Sequence, residues 1–224
     1  VDDLRASVGW YAPVLIDQEG GRVARLREPV APESPPFEFF GELYNDNPEA
    51  GERALRLNTE LQAAYLTHMG INVNCSPVAD LRFEGAHDII GNRSFGYDAE
   101  TVAHLCGVVA HEFLNNGVTP IAKHLPGHGR ALTDSHIELP SLAHDLQTLK
   151  QTDFLPFTTL NDDPILQKAM WGMVAHIVYE AIDKEAPATI SAHVVETVLR
   201  DTLNATGFLV ADDIGMEALS GTYA

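Results

Sequence analysis

The segment spanning residues 122–140 reads AKHLPGHGRALTDSHIELP and places Lys123, His124, His128, Asp134 and His136 within fourteen positions. His124 and His128 have the i, i+4 spacing of a zinc-binding helix. Pro126 and Gly127 break any helix between them, however, and no glutamate follows His124, so a metal site is disfavoured. Asp134 and His136, two apart, point the same way if the chain is locally extended. The carboxylate can then hold the imidazole in one tautomer and raise its basicity, which makes His136 a candidate general acid/base near neutral pH. The competing reading is a hydrogen bond that staples the loop. Pro126, Gly127 and Gly129 are expected to make residues 125–140 a mobile loop over the floor of a site.

A second acidic pair, Asp212 and Asp213, follows the apolar run FLVA. Adjacent residues on an extended chain face opposite sides, so one carboxylate faces the site while the other anchors the turn. Asp212 comes first off the run. A carboxylate nucleophile with a separate acid/base is the arrangement of a retaining glycosidase; a metal carboxylate or a plain helix N-cap are the alternatives. Asp17, Arg25, Arg93, Lys123 and His124 would supply a cradle of donors and acceptors suited to sugar hydroxyls.

Five short apolar runs, at 13–16, 71–78, 119–122, 172–175 and 208–211, read as buried parallel strands. Asp17, Asp80, Lys123 with His124, His176 and Asp212 follow or close these runs, so each strand ends in a titratable group. Ligands of parallel α/β sheets bind beyond the carboxyl ends of the strands, and five such ends define one polar floor. Helices are expected at 48–69, with Leu57, Leu61 and Ala64 on one face; from Asp98 as N-cap to Gly117, with Val102, Cys106, Val109 and Phe113 inward; and from about Ser191 to Gly207. The Pro-rich stretch 29–36 reads as a loop within one domain. No glycine-rich phosphate loop follows the first strand, because the glycines of DQEGGRV come after acidic residues. The fold class is therefore α/β, of the (β/α)8 barrel type rather than a doubly wound sheet, although five units are fewer than the eight that close a barrel.

The chain has 224 residues, and 32 acidic against 14 basic side chains give a formal charge of −18. Such a molecule repels nucleic-acid backbones and anionic membranes, so neither is an expected partner. Cys75 and Cys106 lie in apolar stretches without CxxC spacing and read as buried thiols of a reducing compartment.

Taken in order, LIDQEGGRVARL, GINVNCSPVADL, GNRSFG, AKHLPGHGRALTDSHIELP, MVAHIVY and VADDIGM resemble the β-N-acetylhexosaminidases of glycoside hydrolase family 3, of the bacterial peptidoglycan-recycling type. KHxPGHGxxxxDSH is the most specific of these signals. The resemblance implies Asp212 as nucleophile, His136 as proton donor and acceptor, Asp134 as its partner, and Asp17, Arg25, Arg93, Lys123 and His124 as ligands of an N-acetylglucosamine unit. It further implies a single catalytic (β/α)8 barrel domain over 1–224, shortened at both ends. The implied enzyme is a retaining exo-β-N-acetylglucosaminidase that acts on muropeptides, needs no cofactor or metal, and works in the cytoplasm. A sugar-binding barrel that has lost turnover and a metal-dependent barrel hydrolase are the rival readings.

Overall fold

The computed structural model describes residues 1–135 and 138–219. In chain order the elements begin with α1 (Asp2–Val8), β1 (Leu15–Ile16), β2 (Gln18–Gly20), β3 (Val23–Ala24), α2 (Phe37–Asp46), α3 (Pro48–His68), β4 (Val73–Asn74) and α4 (Ala99–Asn115). There follow β5 (Thr119–Leu125), β6 (Ser141–Leu142), α5 (Leu146–Gln151), α6 (Leu155–Asp162), α7 (Leu166–Ala169), β7 (Trp171–Val174), β8 (Val178–Tyr179), a π-helix (Val194–Thr202) and β9 (Leu209–Ala211). Strands β1, β4, β5, β7 and β9 form one sheet in that order, and every pairing is parallel. Helices on the outside and a curled parallel sheet inside make part of a (β/α)8 barrel, as the alternation of runs and helices predicts.

Each expected strand is present: β1, β4 and β9 are shorter than their apolar runs, β7 keeps its length one residue earlier, and β5 continues through Lys123 and His124 to Leu125. Opposite β7 its register shifts between Lys123 and Leu125, so His124 is the extra residue of a bulge. The bulge suspends the strict alternation of side chains. Consecutive Lys123 and His124 thereby both serve the same end of the sheet.

The outer helices bury one face each. Asp98 caps α4 by accepting from the Thr101 N–H at 2.8 Å, and Val102, Cys106, Val109 and Phe113 are buried as expected. In α3 the inward face differs from the expected one: Leu57 and Leu61 are exposed, while Leu55, Thr59, Gln62, Ala63 and Leu66 are buried. Thr59 and Gln62 obscure this face in the sequence, yet both are satisfied. The Thr59 hydroxyl donates to the Leu55 carbonyl at 2.9 Å, and Gln62 Nε2 donates to Ser34 Oγ at 2.8 Å and to the Glu19 carbonyl at 3.3 Å. Sequence patterning also overlooks α2, whose Gly41 sits where a Cβ would collide with the backbone carbonyl of Phe95. The expected helix of 191–207 is present in its centre as the π-helix.

Candidate active site

The charged residues at the strand ends converge. Asp17 follows β1, and Glu19 lies two residues on, so both point to the same side of an extended chain. Gln18 between them fixes the hairpin β2–β3. Its backbone exchanges hydrogen bonds with the Asn74 amide (3.0 and 2.8 Å), and its Oε1 accepts from the N–H groups of Arg25 and Leu26 at 2.9 Å each.

Lys123 Nζ, 2% exposed, lies 2.9 Å from Asp17 Oδ1 and 2.7 Å from Glu19 Oε1. Arg93 clamps Glu19 in bidentate fashion, Nε to Oε2 at 2.9 Å and Nη2 to Oε1 at 2.8 Å. Burial alone would raise the carboxyl of Glu19, but Lys123 and Arg93 outweigh it and hold the group below the usual carboxylate range. Asp17 is likewise lowered, with Lys123 and Arg25 overcoming desolvation. Arg25 is the outermost member, largely exposed, with Nη2 3.3 Å from Asp17 Oδ2.

On the other side of Arg93 stands the Asp80–His124 pair. His124 Nδ1 is 2.6 Å from Asp80 Oδ2, and Arg93 Nη2 is 3.5 Å from His124 Nε2. Fully buried Asp80 also accepts from the backbone N–H of His124 (3.2 Å) and of His128 (2.6 Å). Desolvation would raise its carboxyl; His124, His128 and these N–H donors bring it below the ordinary value.

Asp212 is the first residue after β9, and its N–H still pairs with the Val174 carbonyl at 3.1 Å. Its carboxylate accepts from the Asp213 N–H at 2.9 Å. Burial pushes the group up, but interaction with His124, the Asp213 N–H, Lys123 and His176 together keep it low and ionised near neutral pH. Asp213 is exposed, and its Oδ1 accepts from the Gly215 N–H at 2.8 Å within the turn.

The structure thus brings together Asp17, Arg25, Arg93, Lys123, His124 and Asp212. Asp134 is half-buried, with its carbonyl accepting from the Glu138 N–H at 3.0 Å; His136 lies outside the described residues. Two members escaped sequence reading. Glu19 was discernible from its position two residues beyond Asp17, and Asp80, recognised as a strand end, proves to be the partner of His124.

The expectation of glycine hinges is corrected in part. Residues 126–129 are buried, and a Cβ on Gly129 would meet the Leu81 carbonyl, while one on Gly127 would come within 2.9 Å of Asp153 Cβ. These glycines permit close packing, and the Gly127 carbonyl is held by the Tyr179 hydroxyl at 2.7 Å. Among the described residues no group of three or more His, Cys, Asp or Glu side chains is placed to hold a metal ion. A cavity of about 520 Å³ lies beside the hairpin, lined by residues such as Arg27, Glu33 and Pro35, and includes none of the strand-end groups.

Residues 5–224 match the glycosyl hydrolase family 3 N terminal domain. A β-hexosaminidase of Bordetella parapertussis is 35% identical over 210 residues, covering 92% of this chain and 57% of that protein. Among solved structures, NagZ from Neisseria gonorrhoeae is similar with a TM-score of 0.83 and 32% identity over 93% of this chain and 59% of that one. A family 3 β-N-acetylglucosaminidase from Paenibacillus sp. reaches a TM-score of 0.85 at 32% identity, over 94% of this chain and 38% of that one. The chain therefore spans little more than half the length of the curated relative.

Proposed function

The chain belongs to glycosyl hydrolase family 3, through that family's N-terminal domain, and we propose that it acts as a retaining exo-β-N-acetylglucosaminidase. The observation that carries the reading is the ionised Asp212, which leaves β9 beside Lys123, His124 and His176. In the first step an Asp212 oxygen bonds to the anomeric carbon as the glycosidic C–O bond breaks, and the departing oxygen takes a proton from His136, oriented by Asp134. In the second, His136 takes a proton from water, whose oxygen attacks the anomeric carbon and releases Asp212. Asp17, Arg25, Arg93, Lys123 and His124 bind the N-acetylglucosamine hydroxyls, and Glu19 and Asp80 hold those groups in place. The site residues need no cofactor for these steps.

As substrate we favour N-acetylglucosaminyl muropeptides in the cytoplasm, where two free buried thiols are at home. The test is release of a chromogenic phenol from an aryl N-acetyl-β-glucosaminide, with Asp212→Ala as control. A 2-fluoro sugar should leave its covalent label on Asp212. Binding of N-acetylglucosamine without turnover would favour the sugar-binding reading, and a label on Asp213 or Asp80 would reassign the nucleophile.

A further inference from the structure

One buried imidazole is left unused by the chemistry above. His128 is 3% exposed, its backbone N–H is committed to Asp80, and its ring stands edge-on to His124 with centroids 5.6 Å apart. Nε2 lies 3.0 Å from Ser135 Oγ, whereas Nδ1 is buried with no hydrogen-bond partner among the described residues. Burial, aided by His124, pushes this imidazole down to about 4, so the ring is neutral near neutral pH. A neutral imidazole presents one donor and one acceptor, and a serine hydroxyl can answer either. Among the described residues, Ser135 is thus the sole hydrogen-bonding group that compensates the ring for its lost water.

Ser135 is held from a second direction as well. It is 2% exposed, and its carbonyl accepts from the Ala218 N–H at 3.3 Å, in the short 3-10 turn Glu217–Leu219 downstream of Asp212. Its immediate neighbours are Asp134 and His136.

We infer that Ser135 is a positioning residue whose side chain, docked on His128, and whose carbonyl, docked on Ala218, tie the segment of Asp134 and His136 to the strand ends that carry Asp80 and Asp212. The inference rests on the proposed roles of Asp134 and His136. Undocking this segment would strand the His128 ring with no polar partner, so the docked arrangement is favoured by the desolvation cost of a residue that never touches substrate. The acid/base is then located by a contact one residue away from it.

The experiment compares the parent protein with Ser135→Ala and Ser135→Thr in two measurements. The first is kcat/KM toward aryl N-acetyl-β-glucosaminides whose phenols range from weakly to strongly acidic, because this parameter reports the step in which the leaving oxygen is protonated. Ser135→Ala is expected to lose about tenfold or more with weakly acidic phenols and little with dinitrophenol, a split typical of impaired acid catalysis, and Ser135→Thr to recover most of the loss. Equal losses across the series, or none, overturn the inference. The second is hydrogen exchange over residues 126–140, expected to accelerate in Ser135→Ala by more than the change in global unfolding free energy accounts for; exchange that changes only as much as global stability does also overturns it. If the parent releases no phenol at all, the hydrolase reading fails, and the docking of Ser135 on His128 is judged by exchange alone. His128→Gln provides a second view of the same contact from the receiving side.

Discussion

His176 donates from Nε2 to the carbonyl oxygen of Asp213 at 3.1 Å, bracing the turn directly after Asp212. Its Nδ1 is fixed at 2.6 Å from Thr189 Oγ1, which in turn reaches the Ala175 carbonyl at 2.8 Å. The nucleophile candidate is thus steadied from the neighbouring strand end. His176→Leu is expected to slow labelling of Asp212 by a 2-fluoro sugar about tenfold and to cost roughly 1–3 kcal/mol through the lost buried hydrogen bonds. Labelling at the parental rate would show that the brace has no bearing on reactivity.

Lys123 stands between two carboxylates that are costly to bury unpaired. Lys123→Met is expected to destabilise the protein by about 3–5 kcal/mol, read by urea denaturation at pH 7, since it leaves Asp17 and Glu19 without their shared cation. The loss should shrink as the pH falls toward the range in which the carboxylates take up protons.

His128 predicts a pH dependence of stability that begins above the ordinary carboxylate range. Its pKa in the folded protein is about 4 against 6.5 for the ordinary imidazole, so between these values the unfolded chain binds the extra proton. The contribution is complete above pH 6.5 and declines as pH falls, by roughly 3 kcal/mol across the whole window. His128→Gln is expected to flatten the curve of unfolding free energy between pH 6.5 and pH 5 relative to the parent.

Below that window the carboxylates take over. Asp17, Glu19 and Asp80 are all lowered in the folded protein, so their stabilisation is present above the ordinary carboxylate range and is lost as acid drives the pH through their depressed values. An acid titration followed by circular dichroism is expected to show a steep loss of structure below about pH 4, a range set by unperturbed carboxylates.

Gly129 offers a test of packing against hinge. Gly129→Ala places a methyl group against the Leu81 carbonyl and is expected to lower stability by about 1–3 kcal/mol, measured by thermal unfolding. A hinge glycine would instead tolerate alanine in the ground state and lose turnover selectively.

On α3, Leu55→Ala is expected to cost about 2–5 kcal/mol, and Leu57→Ala less than about 0.5 kcal/mol, because only the first side chain is buried. Chemical denaturation of the two variants checks which face the helix turns inward.

The strand ends were legible because burial on both faces of a parallel sheet forces apolar runs, and the first polar residue after each run stands out: Asp17 and Asp212 are recognised in this way. Lys123 with His124 falls beyond the apolar run at 119–122, yet the strand continues through both, since no residue type announces a bulge. Glu19 is hidden in the sequence beside Asp17 in the acidic segment DQE, because the partner that cancels its charge, Arg93, stands 74 positions away. The inner face of α3 was hidden for the opposite reason. Thr59 and Gln62 look like solvent-facing residues until the loop groups that receive them are in place. Helices α5 and α7 have only six and four residues, too few to impose a period on the sequence.

The ion web of Asp17, Glu19, Lys123 and Arg93 has a consequence for what can approach it. The chain carries a formal charge of −18, yet in this web two acids face two bases, so the excess negative charge resides elsewhere. A neutral ligand arriving at the strand ends meets strong local dipoles without a strong net attraction or repulsion. Its affinity is therefore expected to be nearly independent of ionic strength. An anionic ligand of the same shape must first cross the field of the acidic surface, and added salt should speed its arrival while leaving its contacts within the web unchanged.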